Sequence, residues 1–147
     1  MSEPFVFDPR REAYKTPYGA VSCGQTITFS CRPLVSEGFS HCSIVLFHEF
    51  SKIWQFVELN PVSSAEEGRL CFTGQLPAPA KPELSWYHFH LWRDDGSGCD
   101  LDKTGYRSDG LTANWQLTVY RESVGPDWFG AGMTYQIFPD RFCRLSR

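Results

Sequence analysis

The 147-residue sequence has no C-x-x-C pair, no run of lysine and arginine, and no long stretch with helical apolar periodicity. Its apolar runs also fall short of the roughly 20 residues needed to span a membrane as a helix. Each absence removes a class. Without paired cysteine spacing, the six cysteines (Cys23, Cys31, Cys42, Cys71, Cys99 and Cys143) read as free thiols, several of them buried as small apolar residues, and not as a zinc site or a disulfide framework. Without a basic cluster, and with 14 Lys and Arg against 17 Asp and Glu for a net charge of -3, the electrostatic footprint of a nucleic-acid binder is missing. The start, "MSEPFVFDPRREAYK", lacks a basic region followed by an apolar one, so the expectation is a protein without a signal peptide, located in the cytoplasm and making no use of a membrane.

What is present is period two. Glycine and proline punctuate the chain, and between them apolar residues alternate as in half-buried strands. In "QTITFSCR", Ile27, Phe29 and Cys31 alternate with Thr26, Thr28, Ser30 and Arg32. "CSIVLFHEF" and "IWQFVEL" are two further strands, the second setting Ile53, Gln55, Val57 and Leu59 opposite Trp54, Phe56 and Glu58. "RLCFTGQL" alternates Leu70, Phe72, Gly74 and Leu76 against Cys71, Thr73 and Gln75, and "NWQLTVY" turns Trp115, Leu117 and Val119 inward. "PAPAKPEL" is a turn that no helix crosses, and "RDDGSGCDLDKTG" reads as a polar loop. Six or seven short strands of this kind in one domain predict an all-β fold, an immunoglobulin-like two-sheet β-sandwich.

The densest segment is "SWYHFHLW", Ser85 to Trp92. Alternation puts Tyr87, Phe89 and Leu91 on one face and Trp86, His88, His90 and Trp92 on the other. Only one face needs to be this aromatic. Either the strand is buried on both sides, or one side is a surface that something else covers.

The C-terminal segment "GPDWFGAGMTYQIFPDRFCRLSR" stands apart from the strand scheme. Its "GAGMTYQIFPDRF", Gly130 to Phe142, resembles the opening strand of the catalytic barrel in the α-amylase and neopullulanase group of glycoside hydrolase family 13, and "PDWF" resembles the linker before it. The N-terminal "DPRREAYKTPYGAVSCGQTITF", with "LSWYHFHL" and "QLTVY" as late strands, is similar to the accessory β-sandwich that such enzymes carry ahead of the barrel, of the type of carbohydrate-binding module family 34. The resemblance implies a domain over residues 1–122, and a linker with the first strand of a truncated (β/α)8 barrel over residues 123–147. Its strand motif is carried by Tyr135, Gln136, Asp140 and Arg141.

The paired carboxylates of a retaining glycosidase, about 5 to 5.5 Å apart, come in this family from later barrel strands. No catalytic residue is therefore expected here, and the fragment is expected to be inactive although its parent cleaves α-glucans. Calcium is implied for the parent only, because the residues after "PDRF" lack the usual calcium loop. Asp140 and Arg141 are expected to be structural partners of later barrel residues.

Two possible metal clusters remain. Asp94, Asp95, Asp100 and Asp102 do not have the spacing of an EF-hand and read as a solvated hairpin loop. His88 and His90 could hold zinc with His41 or Cys42, but no third ligand is fixed by spacing, and imidazoles hydrogen-bonded beside an aromatic cluster are the preferred reading. The resemblance places Tyr87, Phe89 and Leu91 in the core. Trp86, His88, His90 and Trp92 are then candidates for a sugar platform binding α-glucan oligosaccharides, for an interface with the enzyme's own barrel or in a homodimer, or for a stripe covered by the chain's own loops. A free-standing sugar- or protein-binding module is the alternative from another class.

Overall fold

The computed structural model describes residues 5–64, 67–122, 132, 133 and 136. Ten strands order them: β1 (Lys15–Thr16), β2 (Val21–Ser22), β3 (Thr26–Cys31), β4 (His41–His48), β5 (Ile53–Val62), β6 (Cys71–Pro77), β7 (Glu83–Trp92), β8 (Gly98–Asp102), β9 (Gly105–Arg107) and β10 (Trp115–Tyr120). A 3-10 turn, Val35–Glu37, precedes β4. The all-β expectation holds.

The strands form one hydrogen-bonded path, β1-β3-β6-β5-β4-β7-β10-β2, with β8 and β9 branching from β7. Pairing is antiparallel except for β10 with β2. The joint is β5. Its residues 53–59 pair with β4, whereas Asn60, Pro61 and Val62 pair with β6, so one strand belongs to both halves of the curled sheet.

The core lies between those halves. Ile27, Phe29, Cys31, Phe72 and Leu76 from β3 and β6 meet Cys42, Ile44, Leu46, Tyr87, Phe89, Leu91, Leu117 and Val119 from β4, β7 and β10. Aromatic rings carry the contact across: Phe29 lies 5.3 Å from Tyr87 and 6.3 Å from Phe89, edge to face. Phe7, from the segment before β1, fills the end of the core, 4.6 Å from Phe89 and 4.9 Å from Trp115. Fully burying one such side chain contributes about 1.5–3 kcal/mol.

The strands read from the sequence between Gln25 and Tyr120 are present, and Ile27, Phe29, Cys31, Leu117 and Val119 are buried as expected. The segment "RDDGSGCDLDKTG" is corrected. It contains β8 and the start of the β8–β9 hairpin, because Leu101 docks into the core while Asp100 and Asp102 are held by partners that local sequence does not announce. Strands β1 and β2 are two residues each, too short to leave a periodicity. Of the expected barrel strand "MTYQIF" only Met133 and Gln136 are among the described residues, both exposed and in no strand, while Tyr135, Asp140 and Arg141 lie outside them. Cys23, Cys31, Cys42, Cys71 and Cys99 are free thiols, and Cys143 lies outside the described residues.

Three buried polar groups stitch loops to strands. Lys15 Nζ donates to the carbonyls of Pro17 (2.7 Å) and Gly19 (2.8 Å), and burial lowers its pKa to about 8. His48 bridges Ser85 Oγ (2.8 Å) and Gln55 Oε1 (3.0 Å), tying β4 to both neighbours. Glu83 receives the backbone N–H groups of Phe50 (2.7 Å) and Ser51 (3.2 Å), which clamps the β4–β5 turn. Burial opposes ionisation of Glu83, but those donors and the N–H of Leu84 outweigh it and hold the carboxyl below its ordinary value.

Two outcomes are expected in denaturant unfolding. Glu83→Gln should lose about 1–3 kcal/mol at neutral pH. A depressed folded pKa gives stability that is present above the unfolded value near 4.3 and lost as pH falls through the folded one, so the gap between parent and variant should close below about pH 4. A gap that is constant with pH would exclude the clamp. By contrast, Tyr87 is fully buried and its hydroxyl finds no partner among the described residues. Tyr87→Phe should therefore be neutral or stabilising, and a loss above about 1 kcal/mol would show that the hydroxyl is bonded after all.

Candidate functional site

The outer face of the half containing β5, β4 and β7 gathers the chain's unusual chemistry. Register decides which residues meet. On β7 the even-numbered side chains Trp86, His88, His90 and Trp92 point away from the core, opposite Phe47, Val45, Ser43 and His41 of β4. Beyond β4 lie Trp54, Phe56 and Glu58 of β5. Four cross-strand rows result.

The first row, Trp54–Phe47–Trp86–Gln116, is apolar over three strands, with Trp54 and Phe47 rings 5.0 Å apart. The second runs Phe56–Val45–His88, and His88 Nδ1 bonds Asn114 Oδ1 at 3.0 Å. The third runs Glu58–Ser43–His90–Asp100–Arg107 and is polar throughout, with His90 Nδ1 2.7 Å from Asp100 Oδ1. The fourth sets His41 against Trp92, stacked at 5.1 Å and 10°. His41 also faces Asp94 Oδ1 at 3.3 Å and Glu58 Oε1 at 3.8 Å.

The four candidates from the sequence thus share one face, but they do not form a bare platform. His88 is nearly buried, whereas Trp86, His90 and Trp92 are half-buried. Within these four rows the most exposed rings are Phe56 and Trp54, at 69% and 56%. Ser43, Phe47, Trp54, Phe56 and Asp100 complete the face; the first four were not singled out from sequence, and Asp100 was read only as part of a solvated loop. Their signal was available only in part: alternation puts Trp54, Phe56 and Glu58 together, but not the strand that lies next to them.

Between the second and third rows is a hollow of about 320 Å³, lined by Ser43, Val45, Phe56, His88, His90 and Asp100. It joins an exposed ring to a histidine–carboxylate pair. Metal chemistry is not assembled there: Cys42 points into the core on the opposite face, and among the described residues no three His, Cys, Asp or Glu side chains converge on a metal-sized point.

The four aspartates expected to share a solvated loop go to four different places. Asp94 meets His41, and Asp100 meets His90. Asp95 receives the N–H of Ser97 at 2.8 Å, and the Ser97 hydroxyl and N–H hold its carboxyl below the ordinary value. Asp102 is buried and receives Ala113 N–H (2.6 Å) and Thr104 N–H (2.7 Å); burial opposes its ionisation, and these bonds with the Thr104 hydroxyl outweigh it and lower its pKa.

Three relatives align with the chain. The chain is 26% identical over 144 residues to the amylopullulanase of Thermoanaerobacterium thermosulfurigenes, covering 92% of this chain and 8% of that protein. It is 25% identical over 138 residues to the amylopullulanases of Thermoanaerobacter thermohydrosulfuricus and Thermoanaerobacterium saccharolyticum, covering 88% of this chain and 9% and 11% of those proteins. The chain therefore spans about a tenth of their length. No protein-family model matches it. Among the described residues no helix is long and apolar enough to cross a membrane.

One glycine sets the spacing at the end of the face. A Cβ on Gly98 would lie 2.7 Å from the Leu91 carbonyl oxygen and 3.0 Å from Trp92 Cβ. Gly98→Ala should therefore push β8 off β7, cost about 1–3 kcal/mol and change the near-ultraviolet dichroism of Trp92. An unchanged spectrum and midpoint would show that β8 is not held this closely.

Proposed function

We propose that this chain is an accessory β domain of an α-glucan-degrading glycoside hydrolase of the α-amylase, neopullulanase or cyclomaltodextrinase type. The observation that carries the reading is alignment of 88–92% of the chain with about a tenth of each of three amylopullulanases. A segment of that size is one domain of such a protein, and an all-β domain is not the barrel in which this chemistry takes place. Residues 1–122 form the domain in this reading, of a type similar to carbohydrate-binding module family 34. Residues 123–147 are the linker and first barrel strand, with Tyr135, Gln136, Asp140 and Arg141 as its motif. The parent is cytoplasmic and can carry calcium in its barrel, while this segment needs no cofactor.

Within that enzyme the outer face is the contact surface. A second reading, an interface with the barrel or with another subunit, is favoured at one corner by a specific observation. Phe50, Trp54 and Phe56 are 68%, 56% and 69% exposed, around a turn that is itself held firmly by Glu83. Apolar exposure of that kind on a rigid support suits a protein partner.

The expected outcome is that the 147-residue chain releases no reducing sugar from maltodextrin or pullulan, whereas a longer natural protein containing it hydrolyses both. Turnover by the 147-residue chain, or none by the longer protein, would overturn the assignment.

A further inference from the structure

Strand β10 is covered along only part of its second edge. Its parallel pairing with β2 joins Val119 to Val21 and Tyr120 to Ser22 and goes no further. Carried on, that register would set Ala20 opposite Thr118 and Tyr18 opposite Gln116, but residues 18–20 are in no strand. The two segments part there, and a pocket of about 310 Å³ opens between them, with Arg10, Lys15 and Tyr87 in its lining. Two of these side chains are buried without a full set of partners. Tyr87 is 0% exposed, its ring packed 5.3 Å from Phe29 and 6.2 Å from Phe7, and its hydroxyl has no hydrogen bond among the described residues. Burial pushes its pKa up, so the hydroxyl keeps its proton and is available as a donor. Lys15 is 2% exposed and uses two of its three N–H groups on the carbonyls of Pro17 and Gly19, which carry no charge. No carboxylate lines the pocket, and Asp8, close by in the chain, is engaged by Arg11 Nε at 3.3 Å and Arg10 N–H at 3.0 Å. A buried ammonium without a counter-charge is costly, and burial alone accounts for its lowered pKa.

We propose that this pocket binds a carboxylate group carried on a short apolar body, which brings the counter-charge that Lys15 lacks. The remaining Lys15 N–H and the Tyr87 hydroxyl donate to the carboxylate oxygens, and the exposed Arg10 guanidinium adds charge from the rim. Tyr120 O accepts from Cys23 N–H at the β2 edge, so alternation along β10 turns the backbone groups of Gln116 and Thr118 toward the same opening as further polar contacts. Pro9, Tyr18 and Ala20 give the rest of the wall an apolar character that suits a hydrocarbon tail. A few donors on an apolar wall match one delocalised negative charge; a phosphate, with more acceptor oxygens and more charge to satisfy, would be left short of partners. The volume falls at the lower end of the roughly 300–1,000 Å³ of small-ligand sites. Lys15 is already fixed by its two carbonyls and Tyr87 by its neighbouring rings, so little ordering remains to be done on binding.

The test is titration of the 147-residue chain with butyrate, and in parallel with the uncharged butyramide and with inorganic phosphate, followed by the chemical shifts of Lys15 Cε and the Tyr87 ring. Saturable shifts at both residues are expected with butyrate and none with butyramide. At saturating butyrate Lys15 should titrate above its ligand-free value of about 8, because a neighbouring anion favours the charged amine. Tyr87→Phe should weaken butyrate binding roughly tenfold and Arg10→Gln roughly threefold, each keeping a dispersed spectrum. Shifts centred elsewhere, equal saturation by butyramide, unchanged affinity in both variants, or no saturation by about 100 mM butyrate would overturn the site. Phosphate binding as tightly as butyrate would overturn the carboxylate assignment.

Discussion

The register of β4 against β7 is the constraint on which the rest depends. Eight residues of each strand pair, from His41 opposite Trp92 to His48 opposite Ser85, and the side chains alternate strictly between two faces that differ in kind. One face places Cys42, Ile44, Leu46, Tyr87, Phe89 and Leu91 in the core, all at 0% exposure. The other sets histidines, tryptophans and hydroxyls in rows. A shift of one residue would bury His88 and His90 and expose Phe89 and Leu91, losing core burial and unpairing polar groups together. The core thereby fixes which residues meet on the outer face.

Loops are held to this frame by buried polar groups with defined partners. Glu83 anchors the β4–β5 turn, Asp102 anchors the segment at Ala113, and Lys15 gathers the carbonyls that follow β1. Each replaces water with a fixed donor or acceptor, and each would be expensive to leave unpaired. Their placement explains how a domain with short strands and many turns presents a preformed surface.

Sequence reading reached the fold class because alternation is a local property. Ile27, Phe29 and Cys31, or Tyr87, Phe89 and Leu91, declare their strands within a few residues. It also grouped Trp86, His88, His90 and Trp92 correctly on one face, since period two alone does that. It failed where meaning depends on partners distant in the chain. Asp100 looks like any turn aspartate until β8 lies beside β7 and brings it against His90. Phe56 looks like a core residue until the pairing of β5 with β4 turns it outward. The shortest strands, β1 and β2, exist only through their neighbours and leave no pattern to read.

Strand β5 has one further implication. Because it hydrogen-bonds to β4 along its first part and to β6 at its end, it works as a shared hem, and the two halves have no seam along which to slide there. A load applied to the exposed rings of Trp54 and Phe56 is carried by the same backbone that reaches β6. Whatever presses on the outer face is therefore felt on the far side of the core as tension in one continuous strand, so a partner gripping this corner holds the whole domain.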